Sequence, residues 1–128
     1  MTQEEKDLLY KDLCARLPYG VKIQILSWDD LNMEYINKVD VLYSINSDNY
    51  IKTLTEDYDY YIEDIKPYLF PLSSITEQQR KEYHELMLYN PINGLSIDFY
   101  DWCNKNHLDG RGLIKQGLAI DASNLNIY

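Results

Sequence analysis

Residues 13–28, LCARLPYGVKIQILSW, contain the change of pattern that decides the fold. The leucines before the change recur at helical spacing, and Pro18 cannot continue a helix because it lacks a backbone N–H. Gly20 then allows the chain to turn at little steric cost. From Val21 onward apolar and polar residues alternate, which is typical of a half-buried strand. The stretch therefore predicts a helix that leads directly into a sheet.

The segments on either side extend this prediction. Thr2 and Glu5 have the spacing of a capping box, so the helix is expected to occupy residues 1–17. Residues 21–66 form the predicted β part, and NSDN within it is typical of a hairpin turn. The expected strands are 21–25, 39–45, 50–54 and 58–62, with a possible short strand over 33–36.

Residues 76–117 form the predicted helical part. Pro67 and Pro71 should hold the segment before it extended, as a crossover. Thr76 and Gln79 form a second capping box, which predicts a helix ending near Tyr89. The later expected elements are a helix from Ser96 to His107, a short helix capped by Asp109 and closed by Gly117, and an edge strand at LAI, residues 118–120.

Together these patterns predict one α+β domain over residues 1–128. Its N-terminal helix should pack on a small antiparallel, barrel-like sheet of four to five short strands, followed by two to three C-terminal helices. The length of 128 residues and the 45% apolar content suit a domain with its own core.

Composition also sets expectations about compartment. No apolar run approaches the roughly 20 residues that span a bilayer, and the start of the chain lacks the pattern of a signal peptide. Cys14 and Cys103 lie far apart, which favours free thiols in a reducing compartment. We therefore expect a cytoplasmic protein that does not bind membranes.

The charge of the chain is acidic and uneven. Residues 21–66 carry ten acids and four bases, so they hold −6 of the total −9. Because Lys and Arg do not cluster anywhere, direct nucleic-acid binding is excluded. Five carboxylates and no base occur between Glu56 and Asp64, and we call these five residues the acid cluster. It either keeps a sheet edge soluble or imitates nucleic acid.

Motifs for catalysis and metal binding are weak. Cys103 and His107 are four residues apart, but a buried thiol is the commoner role of such a cysteine. No zinc-ligand spacing and no phosphate-binding loop is present, so we predict no catalytic residue, no metal and no cofactor. Arg111 should form an internal salt link to a carboxylate such as Asp98 or Asp101, or alternatively bind a ligand anion.

The 13 tyrosines are the most unusual feature of the composition. Most are explained by a small sheet with a thin core, because tyrosine combines a large apolar ring with a polar tip. Tyr61 and Tyr68, beside acids and prolines, are expected on a binding surface. The residues predicted to contact a partner are Tyr61, Tyr68, Phe70, Asp59, Asp64 and Arg111.

Three blocks of sequence resemble a known group of proteins. LCARLPYGV (13–21), IEDIKPYLFPLSSIT (62–76) and DWCNKNHLDGRGLIKQGLAID (101–121) are similar to a family of short proteins encoded in gut Bacteroidetes and in their phages and mobile elements. The resemblance implies a shared fold and that genomic setting, but no mechanism. Phe70 stands where the family has Arg and Gly110 where it has Tyr, so a surface built on those side chains would be altered here.

These observations support three functions. The first is a non-enzymatic module that binds another protein, with a homo-oligomer also possible. The second is an acidic antagonist that imitates nucleic acid and blocks a host defence or nucleic-acid enzyme. The third is a small enzyme or nucleotide-binding protein that uses Arg111. If the protein is phage-encoded, it would act in the cytosol of the host cell.

Overall fold

The computed structural model describes residues 1–89 and 97–128. It confirms an α+β fold in which an N-terminal helix, a curled half-barrel sheet and further helices follow one another. The helices are α1 (Gln3–Arg16), α2 (Glu77–Tyr89) and α3 (Ile97–Lys105). The strands are β1 (Lys22–Asp29), β2 (Glu34–Ile45), β3 (Tyr50–Thr53), β4 (Tyr60–Tyr61), β5 (Ile65–Leu69) and β6 (Ile120–Asp121).

The predicted helix-to-strand corner is present. The Thr2 hydroxyl accepts a hydrogen bond from the Glu5 N–H, and the Glu5 carboxylate accepts one from the Thr2 N–H. A single 3₁₀ turn containing Pro18 follows α1, and Gly20 has a φ of 66°, in the left-handed region. The role of the corner is therefore to turn the chain from α1 into β1.

The sheet has six strands in the order β4-β3-β2-β1-β5-β6, so the prediction of four to five was too low. The missed strand is β5, which was predicted as a crossover because of Pro67. Pro67 lies opposite Ile23 of β1, before the point where β6 begins to pair at Tyr68, so its missing N–H is tolerated. The β5–β6 pair is parallel, so the sheet is not wholly antiparallel.

The helical part is shorter than predicted. Residues 110–117 form turns, and the expected short helix at Asp109 is wrong. Asp109 does accept hydrogen bonds from the backbone N–H groups of Leu113 and Ile114, but Gly112 adopts a φ of 74° and interrupts any helix there. The capping box at Thr76 and Gln79 is confirmed. The predicted cap at Ser96 lies outside the described residues.

Two clusters of buried side chains form the core. The larger lies between α1 and the inner face of the sheet, where apolar residues of both are fully covered. The smaller joins α3, the segment after it and Tyr83 of α2. Central members of the larger cluster are Leu9, Leu13, Val21, Ile23, Ile25, Ile51, Ile65 and Leu69, and the smaller contains Phe99, Trp102, Cys103 and Leu108.

Candidate interaction surface

Among the residues that the structure describes, no third strand pairs with the distal part of the β1–β2 hairpin. β1 and β2 pair along the whole length of β1. β5 pairs with β1 only at residues 23–25, and β3 pairs with β2 only from Leu42 onward. Residues 26–37 therefore form a two-stranded extension of the sheet, which we call the arm.

One face and the tip of the arm are apolar and exposed. On the outward face, Trp28 is 46% exposed and Tyr35 67%, and Leu26 lies beside them at 42%. The rings of Trp28 and Tyr35, which are opposite each other in the register, meet edge to face with centroids 5.0 Å apart. At the tip, Leu31 is 94% exposed and Met33 73%. We call these five residues the arm patch.

Met33 adopts an unfavourable backbone conformation at the tip. Its φ is 55°, in the left-handed region, which costs an L-residue with an ordinary side chain about 1–2 kcal/mol. Gly or Asn would fit that conformation with less strain. A strained, exposed apolar residue in this position favours a role in binding.

The carboxylates of the arm are not neutralised. Asp29 accepts hydrogen bonds from the Asn32 amide at 2.8 Å and the Leu31 N–H at 3.0 Å, and these bonds, with a smaller contribution from the charge of Lys38, lower the pKa of Asp29 and hold the turn. Asp30 and Glu34 are exposed. Within the described part of the chain, none of the three forms a salt bridge, and residues 26–37 contain no Lys or Arg.

The acid cluster, by contrast, is largely paired with lysines. Four of its five carboxylates lie within 4 Å of a lysine ammonium group, and these lysines come from α1, β2 and β3. A hydrogen bond from the Lys6 ammonium lowers the pKa of Glu63, and one from the Tyr60 hydroxyl lowers that of Glu56. The pairs are Glu56–Lys38 at 3.3 Å, Asp57–Lys52 at 2.9 Å, Asp59–Lys52 at 3.9 Å and Glu63–Lys6 at 2.6 Å.

The other residues predicted to contact a partner occupy different environments. Tyr61 is exposed, with its ring 5.5 Å from that of Tyr50. Asp64 is half-buried, and burial raises its pKa. Phe70 is half-buried against the smaller core cluster. Tyr68, within β5, is only 4% exposed, so the prediction that it is on a surface is wrong.

Arg111 forms an internal salt link, but with Asp12. Its Nη1 lies 3.2 Å from the Asp12 Oδ1, and its guanidinium stacks 4.6 Å from the centre of the Tyr100 ring. Asp101 instead accepts a hydrogen bond from the Tyr19 hydroxyl at 2.7 Å, and the side chain of Asp98 lies outside the described residues. Arg111 therefore joins the segment after α3 to α1.

A cleft of about 660 Å³ opens beside this link, between α1 and α3. Lys11, Tyr100, Asp101, Asn104 and Gly110 line it together with Arg111. It has the size of a small-molecule site. However, Asp12 and the Tyr100 ring already engage the guanidinium, so the cleft is weaker evidence for a ligand than the arm patch is for a partner.

The thiol and imidazole groups do not form a nucleophilic pair. Cys103 is fully buried, and burial raises the pKa of its thiol to about 11, so it stays protonated at neutral pH. His107 follows the end of α3 and stacks on the Tyr128 ring at 4.1 Å. Among the described residues, no three His, Cys, Asp or Glu side chains are grouped as metal ligands would be.

The described helices are all too short or too polar to cross a membrane. No protein-family model, curated protein or solved structure matches the chain. The assignment of function therefore depends on the geometry of the surface.

The sequence prediction missed the arm patch, although a signal was present. The outward positions of β1 begin with Lys22 and Gln24 and continue with Leu26 and Trp28. In a strand with one solvent-facing side, the outward residues are normally polar throughout. The change from polar to apolar at Leu26 therefore marks the start of an exposed apolar face.

Proposed function

We propose that the chain is a non-enzymatic protein-interaction module of phage or mobile-element origin, and that it binds its partner through the arm patch. The observation that carries this proposal is the pair of exposed aromatic rings, Trp28 and Tyr35, on an arm that no segment of residues 1–89 or 97–128 covers. The genomic setting is supported by the three sequence blocks alone. The free thiols Cys14 and Cys103 support a cytosolic location, in the host if the gene belongs to a phage.

The composition of the arm patch supports binding to a protein. Trp, Tyr and Met are enriched in the centres of protein interfaces, and Trp and Tyr dominate the residues whose removal weakens binding most. The outward face continues from the arm to Val39 and Tyr43, which are also exposed. A partner that docks on the arm would therefore have further apolar surface to cover.

The acidic-antagonist alternative is less well supported. A mimic of nucleic acid needs unneutralised, regularly placed negative charges that a basic partner can read. In the acid cluster, three lysines of the same chain already lie within 4 Å of four of the five carboxylates. The third function, an enzyme or nucleotide-binding protein, would require Arg111 to leave Asp12 and Tyr100.

The test compares two pairs of exposed aromatic residues. The Trp28→Ser/Tyr35→Ser variant removes the rings of the arm, and the Tyr58→Ser/Tyr61→Ser variant removes two similarly exposed rings of the predicted surface around Tyr61. Proteins captured by wild type from host lysate are identified, purified and titrated against all three chains, with circular dichroism to confirm folding.

We expect the arm variant to lose at least about thirtyfold in affinity, the effect of one strong interface residue, and the control to change by less than about threefold. The reverse pattern would move the binding surface to Tyr61. Equal affinity of all three chains for every captured protein would refute the proposal.

A further inference from the structure

We infer that the surface that receives the arm is an apolar groove of a protein, bordered by Lys and Arg side chains. This inference rests on the proposed function, because it names the chemistry of the partner that the arm patch binds. Its basis is the distribution of charge around the patch.

The arm carries the clearest uncompensated charge near an apolar surface. Asp30 lies in the turn at the tip, and Asp29 and Glu34, which pair in the register next to Trp28 and Tyr35, lie on the opposite face of the ribbon; none of the three forms a salt bridge with the residues that the structure describes. The nearest lysine along β2, Lys38, is directed to Glu56 at 3.3 Å. A complementary partner therefore supplies positive charge at the rim of the contact, where it speeds and orients association.

The shape of the arm indicates a groove. Four residues of β1 extend beyond its pairing with β5 and eight residues of β2 extend beyond its pairing with β3, and the part free of both neighbours is about 13 Å of a two-stranded ribbon. Leu31 and Met33 are the most exposed apolar residues of the patch and lie at its end. A flat surface would contact one face of the ribbon only, whereas a groove also covers the tip.

The same charges argue against other kinds of binding partner for the arm. In a symmetric contact between two arms, neither copy would supply positive charge to the carboxylates of the other, because residues 26–37 contain no Lys or Arg, and two acidic chains repel each other. The phosphates of nucleic acid and the surface of an anionic membrane would be repelled in the same way. Of these binding partners, a protein surface with basic side chains is the one whose charge complements the arm.

The experiment uses a defined probe and the fluorescence of Trp28. In a Trp102→Phe background, Trp28 is the only tryptophan, so its emission reports burial of the arm. The probe is a synthetic antiparallel pair of linked helices with Leu in the groove between them and Lys along its borders, and the comparison peptide has Glu in place of every Lys. Vesicles of phosphatidylcholine and phosphatidylglycerol are titrated in parallel, and sedimentation measures self-association.

Two variants distinguish the effect of carboxylates on the arm from the effect of the net charge of the whole chain. Asp30→Asn/Glu34→Gln neutralises two carboxylates of the arm, and Asp48→Asn/Glu85→Gln neutralises two exposed carboxylates elsewhere. Because both variants change the net charge by the same amount, a general attraction between the basic peptide and the acidic chain affects them equally.

We expect the Lys peptide to bind with a blue shift of Trp28 emission, and the Glu peptide not to bind. The arm variant should weaken binding at least about fivefold at low salt, and the control by less than about twofold, with the difference shrinking as salt screens the charges. Equal effects of the two variants, or equal binding of both peptides, would overturn the inference. A dimer or a vesicle complex that depends on Trp28 would also overturn it.

The result also distinguishes the inference from the proposed function. If the Trp28→Ser/Tyr35→Ser variant loses the captured partner but the charge variants bind it equally, only the basic border is refuted. If the aromatic variant retains the partner, the proposed function itself fails.

Discussion

Asp12 and Arg16, one turn apart on α1, form an ion pair in which neither side chain is exposed to solvent. The Arg16 Nε lies 2.7 Å from the Asp12 Oδ2, and the Arg16 Nη2 donates a further hydrogen bond to the Leu108 carbonyl at 2.7 Å. Arg111 approaches the other oxygen of Asp12. One carboxylate is therefore shared by two guanidinium groups and joins the N-terminal helix to the C-terminal segment.

The first prediction concerns this carboxylate. Asp12→Asn removes the negative charge and leaves Arg16 buried without a counter-charge, so we expect the free energy of unfolding to fall by about 3–5 kcal/mol. Urea unfolding measures the change. Asp7→Asn, an exposed position on the same helix, is the control and should change stability by less than about 0.5 kcal/mol. Similar values for the two variants would contradict the structural role of Asp12.

The second prediction concerns the contact between Gly110 and Cys103. A Cβ at position 110 would lie 3.0 Å from the Cys103 Sγ and 3.3 Å from its Cβ, so Gly110→Ala should destabilise the protein by about 1–3 kcal/mol. In a Cys103→Ala background the sulfur is gone, and the cost of Gly110→Ala should be smaller by at least about 0.5 kcal/mol. Additive effects in this double-mutant cycle would show that the two residues do not constrain each other.

The third prediction concerns the pH dependence of stability. Burial, together with the charges of Arg16 and Lys22, lowers the pKa of His107 below its ordinary value near 6.5. Below that value the unfolded chain binds the proton more readily than the folded one, so His107 contributes stability above about pH 6.5 that is lost as the pH falls through its folded pKa.

A variant isolates this contribution. His107 has a φ of 57°, which Asn tolerates, so His107→Asn should keep the backbone while flattening the stability profile as the pH falls below about 6.5. Thermal unfolding across this range measures the effect. An unchanged slope in the variant would assign the pH dependence to other groups.

The fourth prediction separates stability from binding at Met33. Met33→Asn should relieve left-handed strain and raise the free energy of unfolding by up to about 1 kcal/mol. The same substitution removes an exposed apolar contact and should weaken partner binding by about tenfold, as loss of an interface residue worth more than 1 kcal/mol does. A gain in stability with undiminished binding would exclude Met33 from the interface.

The fifth prediction concerns the acid cluster. Asp57→Asn/Asp59→Asn/Asp64→Asn should change the free energy of unfolding by less than about 1 kcal/mol, because exposed ion pairs contribute little. Affinity for the captured partner should change by less than about threefold. A large, salt-dependent loss of binding in a variant that melts like wild type would instead favour the acidic-antagonist function.

Local patterns determined much of the architecture. The capping boxes at Thr2 and Thr76, the break at Pro18 and the turn at Gly20 act on neighbouring residues, so they could be recognised without knowledge of the rest of the chain. The alternation from Val21 onward depends only on the two-residue period of a strand. The α+β class and the N-terminal helix follow from these patterns.

Tertiary structure decided what no local pattern contains. Whether Pro67 joins a sheet depends on the strands on either side of it, and the partner of Arg111 is Asp12, distant in sequence. The arm exists because β3 and β5 stop short of residues 26–37, which leaves Trp28 and Tyr35 uncovered. Alternation of side chains shows that two faces exist, but only the packing of distant segments determines which face remains exposed.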